Sequence, residues 1–335
     1  MSALHPHSKY RCLAPPCEIS RFLQEKGHPA TGNHGALLES LGAYFREEPR
    51  PWQLQCRTLI AGHMCQVLAN SAKPRYILVG LHGMNGNPSD FMSFASDVLR
   101  KADSKHIGMT VVLPYAFKEA SANKRSSKSK KWDHGGFRWW DLVDEGIVGK
   151  IKGVVETVNG APAELPDVCK EIQRIVDEAC CVLKLPDSCV SVVGFSMGAM
   201  LTSDLLFSLR TPPLAAGILS GMEVYRWDHD VVMDAFDADM RRYRACVALL
   251  QAHSKSDLIV PYVAGTMMRE HFRKLGFGRD VPYEFVEFHG AHVIDHDVLC
   301  QFKDFLFDAI EQGPAMPPRS LQGKCGIIPL VKKHW

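Results

Sequence analysis

The sequence predicts an α/β fold: a mostly parallel central sheet with helices on both faces, preceded by a helical N-terminal extension. Three observations carry this expectation. Val190-Ser191-Val192-Val193 reads as a buried strand that runs through Gly194-Phe195-Ser196-Met197-Gly198 into a helical stretch from Ala199 to Leu209. Elsewhere, short apolar runs alternate with segments whose apolar residues recur at helical spacing. With 46% apolar and 23% charged residues in a chain of 335, a sizeable soluble core is available.

In order along the chain, residues 1 to about 33 hold Pro, His, Gly and two cysteines without sustained periodicity and read as an irregular arm. Leu37, Leu38, Leu41, Tyr44 and Phe45 then fit one helix, and Cys56, Leu59, Ile60, Met64, Val67 and Leu68 a second, with Pro49 and Pro51 between them. Residues 1–74 are therefore expected to form an arm and a helical extension. A main domain over residues 75–312 follows. It opens with a strand at Tyr76–Leu81, a helix capped by Ser89 and reaching Lys101, and a strand at Met109–Leu113. A basic insertion, about 117–136, holds six Lys or Arg residues between Lys118 and Lys131. It leads to Trp139-Trp140-Asp141 and then to a long amphipathic helix marked by Leu165, Ile172, Val176 and Leu183. Beyond Ser196 come strands at Ala215–Leu219, Cys246–Ala252 and Tyr283–Phe288. Between and after them lie a linker of helical tendency (Asp228–Arg242), a helix at Tyr262–Leu275 and a last helix around Phe302 and Phe305. Residues 313–335 remain as a tail.

Gly194-Phe195-Ser196-Met197-Gly198 fits G-x-S-x-G in the strand–turn–helix setting that makes the central serine project from the top of a sheet. A serine hydroxyl is a weak nucleophile at neutral pH; it needs a base, and the base an orienting acid. On this kind of turn the acid and then the histidine follow later in the chain, each after its own strand. Asp257 lies five residues past the Ala248–Ala252 strand and His292 four past the Tyr283–Phe288 strand. His289 and His296 compete for the role of base, but Gly290 and Ala291 leave a loop room to turn His292 inward. Two backbone N–H groups are needed for the oxyanion: that of Met197, directly after the serine, and that of Met84 in His82-Gly83-Met84. His82 precedes the nucleophile, so it reads as structural.

Leu81-His82-Gly83-Met84-Asn85-Gly86, Gly194-Phe195-Ser196-Met197-Gly198-Ala199, the run His253 to Pro261 around Asp257, and Gly290-Ala291-His292 resemble the phospholipase/carboxylesterase family of α/β-hydrolases, which includes acyl-protein thioesterases. Trp139-Trp140-Asp141 looks like that family's Trp-aromatic-Asp stretch, and Leu113-Pro114-Tyr115-Ala116 is similar to its Pro-x-Ala. The resemblance runs from about Arg75 to Ile310. It implies an α/β-hydrolase fold and a serine hydrolase acting on carboxylic esters or thioesters, of the carboxylesterase, acyl-protein thioesterase or lysophospholipase kind. Ser196, Asp257 and His292 would form its triad, with no cofactor and no metal. Met197 stands where the family usually has glutamine, and Ser254 where it often has glycine.

Other features are weighed against this reading. A net charge of +2 argues against nucleic acid as the principal partner, and the basic insertion reads as a solvated loop. Trp139 and Trp140 either line a substrate pocket or pack the excursion on the sheet. Cys325 to Lys333 mixes a thiol, apolar residues and lysines, the composition of a weak membrane-surface contact, but Pro329 and its shortness favour a docked or frayed tail. Eleven cysteines without a CxxC pair, no signal pattern and no long apolar run place the chain in the cytoplasm, with reduced thiols. The alternatives are a catalytically idle hydrolase-fold module that binds or regulates a partner, and a peptidase on the same fold. No motif encodes an oligomeric state, an acyl chain length or a leaving group.

Overall fold

The computed structural model describes residues 12–47, 54–119, 136–140, 162–224, 226–234 and 238–314. Its eight main strands are mostly parallel with helices around them, the α/β architecture that the alternating patterns predict. The chain divides into two compact units.

The first unit comprises Met1–Gly80, Asn87–Tyr115 and Arg174–Ser191. Its strands follow the order β1 (Leu54–Ile60), β2 (His63–Ala69), β4 (Met109–Pro114) and β3 (Tyr76–Leu81). β1 with β2 and β2 with β4 are antiparallel, and β3 with β4 is parallel. Two expectations are corrected here. The arm contains a helix, α1 (Pro16–Glu25), which Pro16 can start because a first-turn N–H needs no partner. Its Ile19 and Leu23 are fully buried, and Phe22 meets Tyr44 of helix α2 (His34–Glu47) edge-on at 5.2 Å. Second, residues 54–69 form a β-hairpin where helical spacing predicts a helix. Leu59 and Met64, which complete the helical stripe on paper, are 61% and 43% exposed, whereas Leu54, Cys56 and Ile60 face inward with strand alternation. Ala61 and Gly62 both take left-handed backbone (φ 52° and 85°), the pair that a tight two-residue hairpin requires. Ahead of helix α3 (Met92–Ser104) stands a short 3₁₀ turn, Pro88–Phe91, and Asn87 rather than Ser89 caps it: its side chain accepts from the Ser89 N–H at 2.8 Å, and Asp90 reaches back to the Asn87 N–H.

The second unit comprises Leu81–Gly86, Ala116–Gln173 and Val192–Trp335. Its strands β7 (Val190–Phe195, entering the unit at Val192), β8 (Ala215–Leu219), β9 (Ala248–Ser254) and β10 (Tyr283–Phe288) are parallel neighbours in that order. β8 and β9 are buried along their whole length, as parallel strands covered on both faces must be. Around them lie α4 (Leu165–Leu183, in this unit up to Gln173), α5 (Met197–Ser208), α6 (Arg226–Asp234), α7 (Ala238–Ala245), α8 (Tyr262–Leu275) and α9 (His296–Gln312). Leu206, Phe207, Ile218, Leu249, Met268 and Phe272 are among the residues that fill one core cluster. The register pairs Phe195 with Leu219, Leu219 with Ala252, and Ser254 with Phe288. The carboxyl ends of these strands are therefore level, and the loops that follow them emerge together, where open α/β sheets carry their sites.

A small ribbon, β5 (Lys118–Glu119) against β6 (Phe137–Arg138), joins the two ends of the excursion. Phe137 also bridges Gly86, and Asn85 N–H donates to the Phe137 carbonyl at 2.9 Å. The basic insertion between these ends (residues 120–135), Asp141 and the tail from residue 315 lie outside the described residues. Among the described residues, no helix is long and apolar enough to cross a membrane.

Candidate active site

Ser196 occupies the turn between β7 and α5 with φ 55° and ψ −118°, backbone that a residue with a Cβ rarely adopts. The turn can be this tight because both flanking glycines lack side chains. A Cβ on Gly194 would lie 2.1 Å from the Gly198 carbonyl oxygen, and one on Gly198 would lie 2.1 Å from that of Leu81. The Ser196 N–H donates to the Leu219 carbonyl at 2.9 Å, which fixes the turn to the end of β8. Ser196 is 9% exposed.

The two loops predicted to complete the constellation arrive at the same place. His292 Nε2 lies 2.7 Å from Ser196 Oγ, and His292 Nδ1 lies 2.7 Å from Asp257 Oδ2. The other Asp257 oxygen, Oδ1, accepts from the Ile259 and Val260 N–H groups at 2.9 Å each. Burial opposes charge on Asp257, but the His292 hydrogen bond and these two N–H donors outweigh it and hold the carboxyl below the usual aspartate range. An ionised Asp257 requires the proton on His292 Nδ1, which leaves Nε2 free to accept from the serine hydroxyl. The competing histidines do not share this geometry: His289 is exposed, and exposed His296 faces the Cys300 sulfur at 3.6 Å.

Met197 is the first residue of α5, where N–H groups have no acceptor within the helix. Gly83 approaches the serine so closely that a Cβ there would lie 3.3 Å from that of Ser196 and 3.1 Å from the Phe195 ring. The loop carrying Met84 is thereby brought to the nucleophile. His82 holds this loop: its Nδ1–H donates to the Gly83 carbonyl at 2.8 Å, and its Nε2 accepts from the Ala116 N–H at 3.1 Å. Trp139 donates its indole N–H to the His82 carbonyl at 2.8 Å and meets the Phe117 ring edge-on at 5.5 Å. Trp139 and Trp140 are 0% and 1% exposed, so the contacts of Trp139 are those of packing behind the loop.

Three contributors escape motif reading. Phe195 lies against the His292 ring, with centroids 4.9 Å apart. Ser254 donates its hydroxyl to the Gly290 carbonyl and accepts from the Ser256 N–H at 3.2 Å, tying the Asp257 loop to the His292 loop. Buried His253 bonds the Val260 carbonyl through Nε2 at 2.8 Å, and burial holds its pKa below the usual histidine value. The only sequence hint was the replacement of a common glycine by Ser254; nothing marked the other two.

The profile of the Phospholipase/Carboxylesterase family matches residues 149–310, a span containing Ser196, Asp257 and His292. No curated protein matches the sequence. Solved structures similar in fold include SOBER1 of Arabidopsis thaliana, at 16% identity over 70% of this chain and 99% of that one, with a TM-score of 0.53. Acyl-protein thioesterase 2 of Zea mays is 18% identical over 73% of this chain and 98% of its own, with a TM-score of 0.51. A carboxylesterase from Mesorhizobium loti is 15% identical over 76% and 98%, also at 0.51. At these identities the structures speak for the α/β-hydrolase fold, and the family profile matches just under half of the chain.

Proposed function

We propose that this protein is a cytoplasmic serine hydrolase that cleaves carboxylic esters or thioesters through an acyl-enzyme. The observation that carries this reading is one imidazole, His292, within 2.7 Å of both a strained serine hydroxyl and a buried carboxylate. In the reaction, Ser196 Oγ attacks the acyl carbonyl and its proton passes to His292 Nε2. Asp257 holds the imidazolium by its Nδ1–H. The carbonyl oxygen becomes an oxyanion facing the Met84 and Met197 N–H groups, each such donor typically worth about 2.7–4 kcal/mol in the transition state. Collapse breaks the bond to the alcohol or thiol, which leaves with the proton from His292. Water, deprotonated by the same imidazole, then releases the acid and restores Ser196.

An acyl substrate is further supported by the rim. Leu258 and Ile259, one and two residues after Asp257, Val293 after His292, and Met84 after Gly83 are 91%, 46%, 46% and 37% exposed. Exposed apolar side chains on the loops that carry the three reactive groups favour an apolar acyl chain over a charged substrate. The cysteines of the described residues are free thiols, in keeping with a reducing compartment.

A panel of p-nitrophenyl esters and matching thioesters, graded from acetyl to palmitoyl and set beside peptide amides, tests the reading. Turnover of esters or thioesters well above amides is expected. A folded protein that turns over nothing in the panel is the idle binding module instead, and a preference for amides makes it a peptidase.

A further inference from the structure

A second group of histidines and carboxylates lies in the same unit, apart from the serine chemistry. Glu223 follows β8, His229 sits on α6 and His271 on α8; all three are buried, at 4%, 2% and 3% exposure. Glu223 Oε1 lies 3.1 Å from His229 Nδ1 and 2.6 Å from His271 Nδ1. One ligand atom from each residue lies within 4.8 Å of the other two. The outer nitrogens are also engaged: His229 Nε2 is 3.1 Å from Asp204 Oδ1, and His271 Nε2 is 2.8 Å from Asp230 Oδ1. Phe207 stacks on the His229 ring at 4.0 Å and closes one side.

The proton inventory constrains what can sit at the centre. Each Nε2 faces an aspartate and so carries a hydrogen, which leaves both Nδ1 atoms and Glu223 Oε1 converging on one point. As bare lone pairs they would repel in a dry interior, where polar atoms need a partner. Two arrangements relieve this: a proton on each Nδ1, at the hydrogen-bond distances of 3.1 and 2.6 Å from Oε1, or one divalent cation in place of both protons. Both solutions set two positive charges against the three carboxylates, so a cation can replace the two protons without changing the charge of the cluster. Two features of the arrangement suit a cation. Both rings present the same nitrogen to the same oxygen, and each ring is steadied from behind by a carboxylate, as metal-bound imidazoles are. Two imidazoles and a glutamate form a donor set that zinc and its neighbours accept. Asp230, 39% exposed at its side chain, gives the cluster an opening to solvent.

We propose that Glu223, His229 and His271 bind one divalent transition-metal ion of the zinc class, with Asp204 and Asp230 orienting the imidazoles. The ion takes no part in the hydrolysis; it ties the β8 loop to α6 and α8. On binding, the metal forms bonds to Glu223 Oε1 and the two Nδ1 atoms, and the two Nδ1 protons leave for solvent.

The full chain, stripped with a chelator, is titrated with Co²⁺ in weakly buffered solution at neutral pH while visible absorption and released acid are followed. About one ion per chain and about two protons per ion are expected, with a higher melting temperature for the loaded protein. His229→Gln and His271→Gln lose the absorption band and the proton release, whereas His292→Ala keeps both. If these glutamine variants do not fold, the wild-type titration decides alone. Absence of stoichiometric uptake at millimolar metal overturns the proposal and leaves a pair of buried imidazoliums. Uptake that vanishes in His292→Ala overturns it too, by moving the ion to the serine site.

Discussion

Among the described residues of the second unit, histidine meets carboxylate in two places, and what faces the other side of the ring separates them. At His292 one nitrogen is held by Asp257 and the other faces the Ser196 hydroxyl, with the imidazole side chain 14% exposed. At His229 and His271 both nitrogens of each ring face carboxylates, and the rings are 2% and 3% exposed. A base must be able to accept a proton and pass it on, so it needs one engaged nitrogen and one open to the substrate. Rings bracketed by carboxylates leave no nitrogen open to a substrate. Burial opposes charge on His229, but Asp204 and Glu223 outweigh it and push the pKa up to about 9. A ring held so far above neutrality makes a poor general base at pH 7.

Substituting the nucleophile should have the largest effect. Ser196→Ala is expected to lower turnover of a reactive ester by on the order of 10⁶, whereas His229→Gln, if folded, changes it little. An equal loss in both variants, measured on protein of intact circular dichroism, would erase the distinction between the two clusters. Asp257→Asn is expected to cost about 10⁴ in turnover, because the imidazole then settles in the wrong tautomer.

The same substitution carries a pH signature. Since the folded pKa of Asp257 lies below its unfolded value, its ionised form stabilises the protein above the ordinary carboxylate range, and that contribution fades as pH falls through the lowered folded value. Urea midpoints of wild type and Asp257→Asn should therefore converge as pH is taken from about 6 to 3. A gap that widens toward acid contradicts the assignment.

Strain at the turn gives a smaller effect of opposite sign. Ser196→Gly removes the Cβ from a residue at φ 55° and ψ −118°, so it should abolish activity yet raise stability by about 1 kcal/mol. Gly198→Ala, by contrast, drives a Cβ into the Leu81 carbonyl and should lower the melting temperature sharply. Least in size, among the cysteines of the described residues thiol reagents should modify exposed Cys17 and Cys181 first. Burial pushes the Cys56, Cys65 and Cys180 thiols up to about 12, and they should react only on unfolding.

Legibility in the sequence followed the range of the interactions. From Leu165 onward, helices and parallel strands announce themselves because most bury a continuous stripe or run, and observed bounds such as Tyr262–Leu275 and Tyr283–Phe288 agree with the reading. The serine turn was legible because two glycines at fixed offsets are sterically required there. Residues 54–69 misled because a hairpin with two exposed apolar residues, Leu59 and Met64, mimics helical spacing; Gly62 was the overlooked signal. The arm hid α1 because a helix may begin on proline. Asp257 and His292 could be placed at the ends of their strands, but only the level register of β7, β9 and β10 brings them to Ser196. Glu223, His229 and His271 left no trace, since they reach one point from three separate elements without any ligand spacing.

A fluorophosphonate probe followed by peptide mass analysis tests the central claim most directly. The account predicts one adduct, on Ser196, lost in Ser196→Ala and strongly slowed in His292→Ala. Equal labelling of wild type and Ser196→Ala would contradict it.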